Sequence, residues 1–181
     1  MLAGIAVGSS AAVVDSLSAG LDKWRALDWV LNAGCVWAGV GVLAGRVQSR
    51  AVAASLMGAA SLLATVVSYY VVGALRFGTS VGLAFSSSRS VEWLGLAVVG
   101  GPVLGFVGFC ARRGDLLGLA ARLAVPVAVL VEELAIHPLD TRATGAFAVD
   151  PWLNWTHAGM AAVAVAWMLV SMARWRVSSR T

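Results

Sequence analysis

Long apolar stretches separated by short polar segments dominate the chain. A helix needs roughly 20 mostly apolar residues to cross a bilayer. Six stretches meet that length, at about 2–20, 27–45, 51–75, 91–110, 116–136 and 153–173. The first is the weakest of them, because it holds Asp15 and several serines. No strand-like alternation competes with these runs, and an isolated sheet edge has no place in lipid. The pattern predicts an all-α polytopic membrane protein: six transmembrane helices in one compact bundle, a single domain over 1–181. Met1 is followed directly by apolar residues with no basic segment, so the start reads as part of the first span and not as a cleavable signal.

Composition sharpens this picture. Of 181 residues, 60% are hydrophobic and only 12% charged. A soluble domain is about a quarter charged, and the mean hydropathy of +0.85 excludes an ordinary soluble fold. The formal net charge of +4 needs no nucleic acid to explain it, since basic residues collect in the cytoplasmic loops of membrane proteins. Arg46, Arg50, Arg112, Arg113, Arg174, Arg176 and Arg180 fall on one side of the expected spans, in tight clusters at helix ends. Lys23, Arg25, Arg76, Arg89 and Arg142 fall on the other. This bias places both termini in the cytoplasm. The two cysteines, Cys35 and Cys110, lie in apolar runs and read as small buried residues, neither a disulfide nor a metal site.

The acids are more lopsided than the bases. Asp115 alone belongs to the cytoplasmic side, whereas Asp15, Asp28, Glu92, Glu132 and Glu133 fall toward the other. Tyr69, Tyr70, Trp93, Trp155, Asn154 and His157 gather near that same end. An interfacial aromatic belt accounts for some of the rings but less well for carboxylates, which are costly inside a span. Glu132 and Glu133 are adjacent, so they point about 100° apart on a helix. Like charges close together in a low-dielectric place do not both ionise, so at least one is expected to keep its proton. Such an acid, walled by aromatic faces that attract cations, can protonate an alkene and steady the cation that follows. The plainer alternatives stay open. Glu132 and Glu133 meet water if the helix stops at His137-Pro138, Glu92 suits a helix start, and Tyr69 with Tyr70 suits a belt.

On this basis the candidate catalytic acids are Glu132, Glu92 and Asp15. The candidate substrate-binding residues are Tyr69, Tyr70, Trp93, Trp155, Asn32, Glu133 and His157. No HExxH, CxxC, P-loop or DDxxD-type motif is present, so neither a metal nor a nucleotide cofactor is expected. Gly41 with Gly45, and Gly101 with Gly105, form small-xxx-small pairs that let helices approach closely. The Gly100-Gly101-Pro102 run is expected to kink its helix.

Three blocks carry a resemblance: VSYYV at Val67 to Val71, GGPVLGFVGFCARRG at Gly100 to Gly114, and LVEEL at Leu130 to Leu134. In these the chain resembles a family of small six-helix bacterial membrane proteins of largely unknown function. Glu133 stands where that family is expected to have glycine. The chain also looks like the membrane-bound terpene cyclases of bacterial meroterpenoid and indole-terpenoid pathways. That resemblance implies metal-independent, acid-initiated cyclisation of a prenylated small molecule, with Glu132, and less directly Glu92 and Asp15, as proton donor and base. It implies a lipophilic small-molecule substrate and the lipid bilayer as partners. A vitamin-type transporter's substrate-binding subunit is the alternative expectation. The Ala- and Gly-rich starts of the first and third spans would then dock the transporter's partner subunit. The oligomeric state is not legible in the residues.

Overall fold

A computed structural model describes residues 1–18, 25–132 and 151–178. Among these residues every regular element is helical. In chain order they are α1 (Leu2–Ser18), α2 (Arg25–Asn32), α3 (Gly34–Arg46), α4 (Ala51–Phe77), α5 (Val81–Phe85), α6 (Ser88–Cys110), α7 (Leu116–Val131) and α8 (Pro151–Ser178). They form two compact units, Met1–Cys110 and Ala111–Thr181.

Among the described residues three helical segments are long and apolar enough to cross a membrane, where six spans were expected: Ala51–Phe77, Ser88–Cys110 and Ala158–Val177. Leu2–Ser18 and Leu116–Val131 are apolar but shorter. The long helices carry large apolar side chains outward, such as Val99 at 72% exposure and Val163 at 70%. Water would penalise that surface, whereas lipid would not.

The expected span at 27–45 is broken at Ala33, whose backbone is extended (φ −63°, ψ 133°). The cause is local. Asn32 Nδ2 turns back to donate to the Asp28 carbonyl at 3.0 Å and to Asp28 Oδ1 at 2.7 Å, a side-chain alternative to the helical ladder. Gly34 follows, a poor helix former. The Leu31 carbonyl accepts from Trp37 Nε1 at 2.7 Å, so the break leaves it satisfied.

In the first unit α4 is the central helix, packed by α1, α3, α5 and α6. Small residues set the spacing, as their pattern predicts. A Cβ on Gly45 would strike the Gly105 carbonyl, and one on Gly58 would strike that of Gly101. One on Gly4 or Gly8 of α1 would meet the Ser61 or Thr65 backbone of α4. These glycines are therefore engaged inside the bundle. α6 continues as helix through Pro102. α4 ends at Gly78, whose φ of +66° suits glycine. The short α5 that follows, absent from the expected elements, starts with Ser80 Oγ accepting from the Leu83 amide at 3.3 Å.

In the second unit α7 packs against α8. Asp115 caps α7, accepting from the Gly118 amide at 2.9 Å and from Arg113 Nη2 at 2.6 Å. Arg122 reaches back to the same turn, donating to the Gly118 and Arg113 carbonyls at 3.0 Å each. Its charge therefore sits at the helix start although its Cα lies within α7. Cys35 and Cys110 are both buried.

Candidate functional site

The first unit brings together polar residues from three helices at one end of α4. Asp15 of α1 is half-buried and accepts a hydrogen bond from Tyr69 Oη of α4 at 2.9 Å. Ser18 Oγ lies 2.9 Å from the Asp15 carbonyl and 3.1 Å from Asp28 Oδ2. Asp28 also takes the amide of Asn32. Two carboxylates, a phenol, a hydroxyl and an amide are thus linked on α1, α2 and α4. Arg76 Nε donates to Ser16 Oγ at 3.1 Å nearby.

Aromatic rings continue from this cluster into the apolar interior. Tyr70 meets Phe85 at 5.6 Å and Tyr69 at 5.3 Å between centroids. Tyr69 meets Trp37 at 5.7 Å, and Trp37 meets Trp93 at 5.2 Å. The Tyr69–Tyr70 pair is edge-on, near 89°, a favoured geometry for ring quadrupoles.

Two cavities flank the row of rings. One, of about 330 Å³, is lined by Asp15, Tyr69, Tyr70, Gly73, Phe77 and Ala84 among others. It combines a carboxyl group, two phenols and apolar walls, the mixture typical of small-molecule sites. The other, of about 180 Å³, is lined by Trp37, Leu62, Val66, Trp93, Ala97 and Leu104 together with Gly34, Ala38, Leu96 and Gly100. Its walls are apolar apart from the indole nitrogens.

The sequence-derived candidates divide accordingly. Asp15, Tyr69 and Tyr70 line one cavity and Trp93 lines the other, whereas Asn32 hydrogen-bonds Asp28 and lines neither. Glu92 precedes Trp93 on α6 but is exposed and lines neither cavity. Glu132 and Trp155 belong to the second unit. Glu132 is half-buried at the C-cap of α7, where its amide donates to the Ala128 and Val129 carbonyls. Trp155 is 74% exposed on α8. Glu133 and the expected helix stop at His137-Pro138 lie outside the described residues, as does the side chain of His157. Among the described residues no three His, Cys, Asp or Glu side chains group as metal ligands.

Trp37 lines the smaller cavity and packs against Tyr69 of the larger one, yet it was not among the candidates. The available signal was an indole N–H inside an apolar run, which has to find an acceptor. Ser18 was likewise missed, because a serine near a helix end reads as solvated.

Residues 1–180 match a family described as a family of unknown function, DUF6518, and the chain belongs to that family. No match was found among curated proteins or among solved structures.

Proposed function

We propose that this member of a family of unknown function is a polytopic membrane enzyme, a metal-independent cyclase of a prenylated small molecule. The observation that carries the reading is the Asp15–Tyr69 pair at a cavity whose walls continue as a row of aromatic rings. The six apolar stretches are read as six crossings, with α2 and α3 together forming the second. Both termini are placed in the cytoplasm, on the side of the clustered arginines.

In this reading Asp15 delivers its proton to an alkene carbon of the bound prenyl chain. The carbon–carbon double bond loses its π pair to the new C–H bond, and its other carbon becomes a cation. A second alkene of the same molecule supplies a π pair to that cation and closes the ring. Loss of a proton from a neighbouring carbon, to the Asp15 carboxylate or to water, restores neutrality. The product is an isomer of the substrate, so no oxidant or metal is required. Tyr69 positions Asp15, and the faces of Tyr70, Trp37 and Trp93 steady the passing cation. Asp15 takes the role that the resemblance gave first to Glu132, because Asp15 has both the cavity and the aromatic neighbours within its own unit.

The transporter reading finds less support. The small residues that would dock a partner, Gly4 and Gly8 on α1 and Gly58 on α4, are covered by helix contacts.

The test is incubation of the protein in lipid vesicles with prenylated phenols and indoles of increasing tail length, in deuterated water. Cyclisation yields an isomer carrying a single added deuterium. The absence of any deuterium-labelled isomer from wild-type protein across the series overturns the reading.

A further inference from the structure

Two helices end at the 330 Å³ cavity. α1 and α4 run parallel: Gly4 abuts Ser61, Gly8 abuts Thr65, and Ser16 accepts from Arg76. Their C-terminal ends therefore share a side. There the cavity is lined by Asp15 of α1 and by Gly73, Ala74 and Phe77 of α4. A helix C-terminus is the negative end of its dipole and favours a cation. The Asp15 carboxyl group adds to that field. Neutral groups supply the hydrogen bonds here, from the Tyr69 phenol to Asp15 and from Ser18 and Asn32 to Asp28. Among the described residues no lysine or arginine pairs with either acid. Arg76 donates to Ser16 instead and does not line the cavity.

The walls decide which cation fits. A hard metal ion needs several oxygen ligands, and one carboxyl group lines this cavity. Its other walls are aromatic and aliphatic. Tyr69 and Tyr70 stand at 89° to each other, and Phe77 is a third ring. Aromatic faces attract organic cations, most strongly where water is displaced. Acceptors for N–H groups are scarce. The Ala74 carbonyl already takes the amides of Gly78 and Thr79, and the side chains of Ala12 and Ala84 offer only carbon. Methyl groups find contact here, whereas ammonium protons do not find partners. Phe77 and Thr79 are exposed, so a water-soluble ion reaches the cavity from the end of α4.

We propose that this cavity binds a small methylated ammonium ion, its charge held by Asp15 and its methyl groups by Tyr69, Tyr70 and Phe77. The inference goes beyond the cyclase reading and does not depend on it. That reading uses Asp15 with its proton, whereas the ammonium ion takes the same group as a carboxylate. The two ligands therefore exclude each other, and the ion is a competitor of any alkene at Asp15.

The test is calorimetric titration of the full chain, in an uncharged maltoside detergent at fixed pH, with choline and with 3,3-dimethylbutan-1-ol, its uncharged isostere. Choline binds saturably, and the isostere binds at least about tenfold more weakly, the scale of a lost charge contact of about 1.4 kcal/mol. Ethanolamine, with the same charge but N–H groups in place of methyls, is also weaker than choline. Tyr70→Leu weakens choline about five- to tenfold, as loss of a partly desolvated cation–π contact does. Asp15→Asn weakens it about tenfold or more, and Asp115→Asn, in the second unit, leaves it unchanged. The comparison of choline with its isostere on wild-type protein decides the matter if Asp15→Asn does not fold. No saturable choline binding, or equal affinity for the isostere, overturns the proposal. So does displacement of choline by equimolar sodium, which marks a plain counter-ion site, or undiminished binding by Tyr70→Leu. Failure of the cyclase reading shows as no deuterium-labelled isomer with choline binding intact, and failure of the present inference as the reverse.

Discussion

Tyr69 donates to Asp15 Oδ2 across 2.9 Å, joining α4 to α1 over a sequence separation of 54 residues. The bond fixes the orientation of the carboxyl group in its cavity and ties the C-terminal end of α1 to the central helix. Tyr69→Phe removes the donor and keeps the ring. Interhelical hydrogen bonds of this kind contribute about 0.5–1.5 kcal/mol in membrane proteins. Tyr69→Phe should therefore lower unfolding stability by that amount, measured by denaturant titration in detergent. A loss too small to measure would mean that the bond does not hold α1 in place.

Close packing of α3 on α6 gives a second expectation. Because a Cβ at Gly45 would collide with backbone atoms of Gly105, Gly45→Ala must push the helices apart. Overpacking of this sort costs about 1–3 kcal/mol, whereas Gly39→Ala, where the added Cβ meets nothing within 4 Å, should be neutral or slightly stabilising. Thermal midpoints of the two variants, compared side by side, check the contrast.

The turn before α7 responds to acid. The Arg113 side chain, followed by the Gly118 amide, holds the Asp115 carboxyl below its usual range. A group whose folded value lies below its unfolded one stabilises fully above the unfolded value, and that contribution fades as pH falls through the folded value. Protection of the Gly118 amide from hydrogen exchange, corrected for the intrinsic rate, should hold above the ordinary carboxylate range and fall once the pH drops through the lowered folded value. In Asp115→Ala it should be low throughout. Constant protection in the wild type across that range would contradict the assignment.

Much of the helical framework was legible in hydrophobic periodicity. The apolar runs around 2–20, 51–75, 91–110 and 116–136 correspond to α1, α4, α6 and the described part of α7. The break at Ala33 was not legible, because it depends on Asn32 choosing the Asp28 carbonyl over solvent. Nor was α5, whose five residues are too few to show a period. Asp15, Tyr69, Tyr70 and Trp93 stood out as polar or aromatic residues in apolar surroundings. Their partnership did not, since pairing across 54 residues leaves no local trace. Sequence proximity drew attention to Glu132 and Glu133, whereas the carboxyl–aromatic cluster that the described residues form is centred on Asp15.

The most direct measurement of the central claim is the rate at which Asp15→Asn converts a prenylated substrate to its singly deuterated isomer, relative to wild type. Asparagine keeps the shape of the side chain and removes its transferable acid proton. General acid catalysis contributes about 10²–10⁴-fold, so a fall of at least about a hundredfold in a folded, membrane-inserted variant is the expected result. Undiminished conversion by Asp15→Asn would contradict the account.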